Sequence, residues 1–145
     1  MKIGNSKVLV LIVFISACSP QRSDDPVPFF PFLDIVINLN FPEFISLRSD
    51  GGYVQVNGGV RGIIVYRANS STYLAYERNC SFRPNEACAT VNIHTSGLFM
   101  IDPCCNSNFN FSDGNPSGGP AWRPLAQYRT QLSGLTLTIS SEVIN

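Results

Sequence analysis

Five cysteines carry most of the chemistry this chain could perform: Cys18, Cys80, Cys88, Cys104 and Cys105. A cysteine sulfur binds metal, exchanges with disulfides or closes a covalent loop, and its surroundings and spacing decide among these. Cys104 and Cys105 are adjacent, in DPCCNSNFNFSDGNPSGGPAWRPL (Asp102–Leu125), whereas Cys80 and Cys88 stand eight apart. Structural zinc favours cysteines two to four residues removed, so that each pair bites the ion. Thiol exchange usually uses C-x-x-C. Neither spacing occurs. His94 is the single histidine, which leaves no histidine pair for a metal and little for a triad. Its place at the end of an apolar run reads as a surface or turn position. Asp102, just before Pro103, reads as a turn-capping carboxylate. Asp113–Gly114 reads as a turn, and Trp122 with the tyrosines and phenylalanines reads mainly as core. No catalytic constellation emerges, so the expectation is a protein that is not an enzyme.

The N-terminus follows its own logic. Lys2 and Lys7 precede the apolar run Val8–Ile15, which is about half the roughly 20 residues of a spanning helix. This is the pattern of an export signal over residues 1–17. Ile15, Ser16, Ala17 and Cys18 resemble a bacterial lipobox, in which cleavage frees the cysteine for acylation. Cys18 is therefore the expected lipidation site, holding the chain on a membrane surface. Residues 18–33 are proline-rich and read as an extended tether. Within it Asp24–Asp25 is similar to the acidic export signals of some Bacteroidetes-type lipoproteins. The expected location is the cell envelope, lipid-anchored, with an envelope protein as a candidate partner. Zero net charge and 14% charged residues exclude the basic footprint of a nucleic-acid binder.

With Cys18 set aside, four cysteines remain, and an even number in an exported chain implies disulfides. A bridge between neighbours would strain the intervening peptide, which leaves two cross-pairings open.

What must position these residues is a β scaffold. Short apolar runs cut by Gly, Asn and Asp predict strands at Ile35–Phe41, Tyr53–Val56, Arg61–Ala68, Thr72–Glu77, Thr90–His94, Gly97–Asp102 and Leu135–Ser140. Phe41–Leu47 breaks at Pro42 and reads as a turn or short helical element. No window holds a helical period. The class is all-β, an antiparallel sandwich or barrel over residues 34–145.

The cysteine segments resemble a known family. PCCNSNF (Pro103–Phe109), DGN (Asp113–Asn115) and GPAWRPL (Gly119–Leu125) are similar to the second half of a Rieske iron–sulfur domain, with its C-P-C-H-G-S-x-F box and G-P-A-x-x-P-L segment. NCSF (Asn79–Phe82) sits where the first box, C-x-H, would lie. The likeness runs from about Ile35 to Ser140. It implies small packed antiparallel sheets with two cysteine loops at one tip. Carried over position by position, Cys80 matches the first cysteine ligand and Phe82 stands at the first histidine. Asp102 stands at the second cysteine, and Cys105 at the second histidine. Cys88 and Cys104 fall where many members join the two loops by a disulfide.

A Rieske centre needs two cysteines on one iron and two histidines on the other. Phe82 has no lone pair, and Asp102 offers a hard oxygen where a soft thiolate belongs. The expectation is therefore a degenerate site without cofactor, in which Cys88–Cys104 and Cys80–Cys105 are bridged. Each bridge would close a loop of roughly 15–25 residues and contribute about 3 kcal/mol. The other cross-pairing, Cys80–Cys104 with Cys88–Cys105, stays open. The function expected is binding or structural; the alternative is electron transfer by a 2Fe–2S cluster on Cys80, Asp102, Cys105 and a fourth ligand.

Overall fold

The computed structural model describes residues 23–145. The expected signal segment 1–17, the expected lipidation site Cys18 and the first residues of the expected tether lie outside the described residues. Ten strands follow in order: β1 (Ile35–Asn38), β2 (Tyr53–Val56), β3 (Ile63–Asn69), β4 (Thr72–Glu77), β5 (Asn92–Ile93), β6 (Met100–Asp102), β7 (Ser107–Phe109), β8 (Pro116–Gly118), β9 (Gln127–Ser133) and β10 (Thr136–Val143). A 3-10 helix, Pro42–Arg48, starts on the proline that ends the first apolar run.

Every pairing is antiparallel. One sheet has the order β1-β10-β9-β4-β3-β2, and a second, smaller one has β5-β6-β7-β8. The β3–β4 hairpin explains why its sequence reads as buried. Successive side chains point to opposite faces, and here both faces meet a core. Ile63, Val65, Tyr73 and Ala75 pack with Ile37, Leu47, Leu137 and Ile139. Ile64 and Tyr76 pack the other way, with Met100, Phe109, Phe111 and Leu125 of the smaller layer. Full burial of each such aliphatic side chain contributes about 1.5–3 kcal/mol. The hairpin is thus the shared wall between the two layers.

Three strands escape sequence patterning. In β9 the apolar signal is thin, yet Tyr128, Thr130 and Leu132 lean inward while Arg129 and Gln131 are exposed. Its turn into β10 uses Gly134 at φ +59°, a left-handed conformation suited to glycine. Strands β7 and β8 have three residues each, too few for a period to show. Conversely, the first apolar run leaves the sheet after Asn38, whose side-chain oxygen accepts the Asn40 amide at 3.0 Å.

Candidate metal centre

The loop that carries Cys80 and Cys88 is held at its base by a buried carboxylate. Glu77 ends β4 at 1% exposure, and its two oxygens accept the amides of Val60 (2.8 Å), Arg61 (3.0 Å) and Asn79 (2.9 Å) and the Tyr128 hydroxyl (2.7 Å). The approach is close enough that a Cβ on Gly59 would lie 2.0 Å from a Glu77 oxygen. Arg61, fixed by this turn, extends its guanidinium along the loop. It bonds Asn79 Oδ1 and donates to the carbonyls of Ala87 and Glu86 at 2.7 Å. Within the loop the Cys80 amide donates to the Ala89 carbonyl at 3.1 Å. Neither Glu77 nor Arg61 is marked by any short motif; a charged residue closing an apolar strand before the NCSF box is the sole sequence signal.

The second loop is the β6–β7 connection. Asp102, fully buried, accepts the Cys104 amide on Oδ1 at 2.9 Å, an Asx turn that reverses the chain. Asn106 completes the reversal at φ +59°, where asparagine is tolerated. Adjacent side chains then diverge. Cys104 points outward and is bridged to Cys88, with Cα atoms 5.6 Å apart. Cys105 turns inward. Behind it, Gly119 packs so tightly on this loop that a Cβ there would lie 2.4 Å from the Asn106 carbonyl oxygen. The Ala121 amide donates to Ser107 Oγ at 3.0 Å, which docks the GPAW segment onto the loop.

The same segment ties the tip to the tether. Arg123 donates to the carbonyl oxygens of both Ser81 and Asp25 at 2.8 Å, and the Trp122 indole donates to that of Ser23 at 3.3 Å.

Between the loops three donor groups meet. The sulfurs of Cys80 and Cys105 are 3.9 Å apart, and Cys105 Sγ lies 3.2 Å from Asp102 Oδ2 and 3.1 Å from Ser107 Oγ. The ligand atoms of Cys80, Asp102 and Cys105 all fall within 4.8 Å of one another. Burial pushes the Cys80 thiol far up, and Asp102 raises it further by accepting its proton, against a pull from the Phe82 amide. Burial also raises Cys105; the Ser107 hydroxyl and amide oppose this and Asp102 adds to it. Both shifts favour the protonated thiols, whose protons a metal would displace.

The expected Cys80–Cys105 bridge is not formed. Both residues are free thiols, and 3.9 Å is a contact distance, not a bond. Cys105 Sγ instead lies 3.2 Å from Asp102 Oδ2, closer than it lies to Cys80 Sγ. The structure has Cys104 bonded to Cys88 and not the other cross-pairing. Phe82 is buried with Ala89 and Met100 in the smaller core and supplies no donor. His94 lies outside the cluster, stacked on Phe99 with Nδ1 2.8 Å from Ser96 Oγ. Glu86, Cys88 and Cys104 also cluster, but the disulfide consumes both sulfurs.

The residues do not fit a Rieske-type 2Fe–2S centre, which draws two histidines and two cysteines; the chain has one histidine, and it is elsewhere. They do fit a metal ion. Two thiolates on one tetrahedral ion at about 2.3 Å stand about 3.8 Å apart, and the observed separation is 3.9 Å.

No family model matches the chain, and neither does any curated protein. Among solved structures it is similar to the cyanobacterial plasma membrane Rieske protein PetC3 from Synechocystis PCC 6803, with 26% identity over 61% of this chain and 85% of that one, at a TM-score of 0.50. Two further matches are the complex of reduced oxygenase and oxidized ferredoxin in carbazole 1,9a-dioxygenase (20% identity, 67% and 87% coverage, TM-score 0.48) and the ferredoxin of carbazole 1,9a-dioxygenase from Nocardioides aromaticivorans IC177 (18%, 63% and 86%, 0.45). The expectation of a site without cofactor is overturned. The two cysteine loops bring two unbridged thiols and a buried carboxylate together in a group that could hold a metal, in a fold similar to that of a Rieske protein.

Proposed function

We propose that this Rieske-like domain is an envelope-anchored carrier that holds iron at its loop tip through Cys80, Asp102 and Cys105 and passes single electrons to a partner docking there. One observation carries the reading: the convergence of two free thiols and a buried carboxylate between the two cysteine loops. Iron in a thiolate-rich site supplies one-electron chemistry. The protein's own residues shape that site. Cys80 and Cys105 present sulfur, Asp102 presents oxygen, and Ser107 hydrogen-bonds one sulfur, a contact of the kind that tunes potential. The role is carriage, not catalysis. Lipid attachment at Cys18 would place the domain on the envelope, as the lipobox-like ISAC segment implies.

Full-length protein purified without oxygen tests this. Stoichiometric iron that can be oxidised and reduced reversibly, and that is lost in a Cys80→Ser/Cys105→Ser variant which still folds, is the expected result. Iron retained by that variant, or metal that cannot be cycled, would overturn it.

A further inference from the structure

We infer that Cys80, Asp102 and Cys105 form a one-metal site of two sulfurs and one oxygen, with its fourth coordination position open to solvent, where the fold's relatives would build a two-iron cluster. The inference rests on the metal-carrying reading above and specifies what is carried.

Three observations lead to it. First, the donors converge on a point. All three ligand atoms lie within 4.8 Å of one another, and the sulfur–sulfur distance of 3.9 Å matches one edge of a single tetrahedron. A cluster of two irons needs four terminal ligands, two on each iron. Second, the place where a second iron would find its ligand is filled by carbon: Phe82 is 7% exposed and packed into the smaller core. Third, the remaining side of the triad opens outward. A cleft of about 230 Å³ is lined by Phe82, Arg83, Glu86, Asp102, Cys105 and Pro120. Among the described residues no fourth His, Cys, Asp or Glu joins the three within 4.8 Å, and Glu86 on the cleft wall clusters with Cys88 and Cys104 instead, so the fourth ligand is water or a small exchangeable molecule.

Sulfur with carboxylate suits a thiophilic divalent ion, Fe2+ or Zn2+, over Mg2+ or Ca2+. Binding releases the two thiol protons, exchanging two S–H bonds for two metal–sulfur bonds with no change of oxidation state.

The test is metal and acid-labile sulfide analysis of the anaerobically purified full chain, followed by Co2+ loading of the stripped protein. One metal ion per chain and no labile sulfide are expected. Cobalt should then give thiolate charge-transfer and tetrahedral ligand-field absorption, and Cys105→Ser should weaken cobalt binding by more than about tenfold. Two irons with two sulfides per chain would overturn the one-metal site and leave the iron carrier standing. One zinc per chain would support the site and overturn electron carriage. A chain that binds neither iron nor cobalt would overturn both. Octahedral cobalt without charge transfer would overturn the sulfur ligation itself.

Discussion

Two buried carboxylates stand at opposite ends of the molecule's polar chemistry. Glu77 and Asp102 are 1% and 0% exposed, yet their surroundings differ in kind. Glu77 receives three backbone amides and a tyrosine hydroxyl, all strong donors. Asp102 receives one amide and otherwise thiols, which are weak donors. The first carboxylate is saturated and ties a turn, a loop and β9 together. The second retains capacity for something more electropositive than a thiol proton. Equal burial therefore conceals a structural group and a receptive one.

Substitutions separate the two roles. Glu77→Ala is expected to lower unfolding free energy by about 4 kcal/mol, because each buried donor stripped of its acceptor costs about 1–3 kcal/mol and some recover water. Glu77→Gln, which still accepts, should lose roughly half as much. Urea denaturation with unchanged slope would check both, and a neutral Glu77→Ala would erase the contrast. Next in size, removing the Cys88–Cys104 bridge by paired serine substitution should cost about 3 kcal/mol for a loop of this length. Metal stoichiometry should survive that change, since neither sulfur belongs to the triad. Asp102→Asn should cost about 1 kcal/mol in stability, the amide oxygen still accepting from Cys104, while metal affinity falls by about tenfold or more. A stability loss as large as that of Glu77→Ala would make Asp102 structural after all. Smallest of all, Arg129→Ala breaks an exposed pair with Glu142 and should leave the thermal midpoint unmoved.

Much of this architecture was legible in the chain. The short apolar runs Arg61–Ala68 and Thr72–Glu77 predict the two strands of the central hairpin, and the PCCNSNF and GPAWRPL segments point to paired loops at a tip. What escaped has physical causes. Glu77 acts on amides 16 and 17 residues away, a relation that exists only once β3 and β4 pair. Whether Cys80 and Cys105 bond depends on where each sulfur turns. For Cys105 the contacts are with Asp102 and Ser107, and spacing carries no trace of them. The strand β9 was hidden by Arg129 and Gln131 on its exposed face, although Tyr128, Thr130 and Leu132 held the signal.

Arg123 grips Ser81 and Asp25 with the same nitrogen, which has a mechanical consequence. Ser81 neighbours Cys80, and Asp25 lies seven residues from Cys18. Fully extended, that leash spans at most about 25 Å. Under the proposed anchoring at Cys18, the loop tip would be the foot of the domain rather than its head. It would ride within reach of the lipid surface, and its electron partner would be met at the membrane plane.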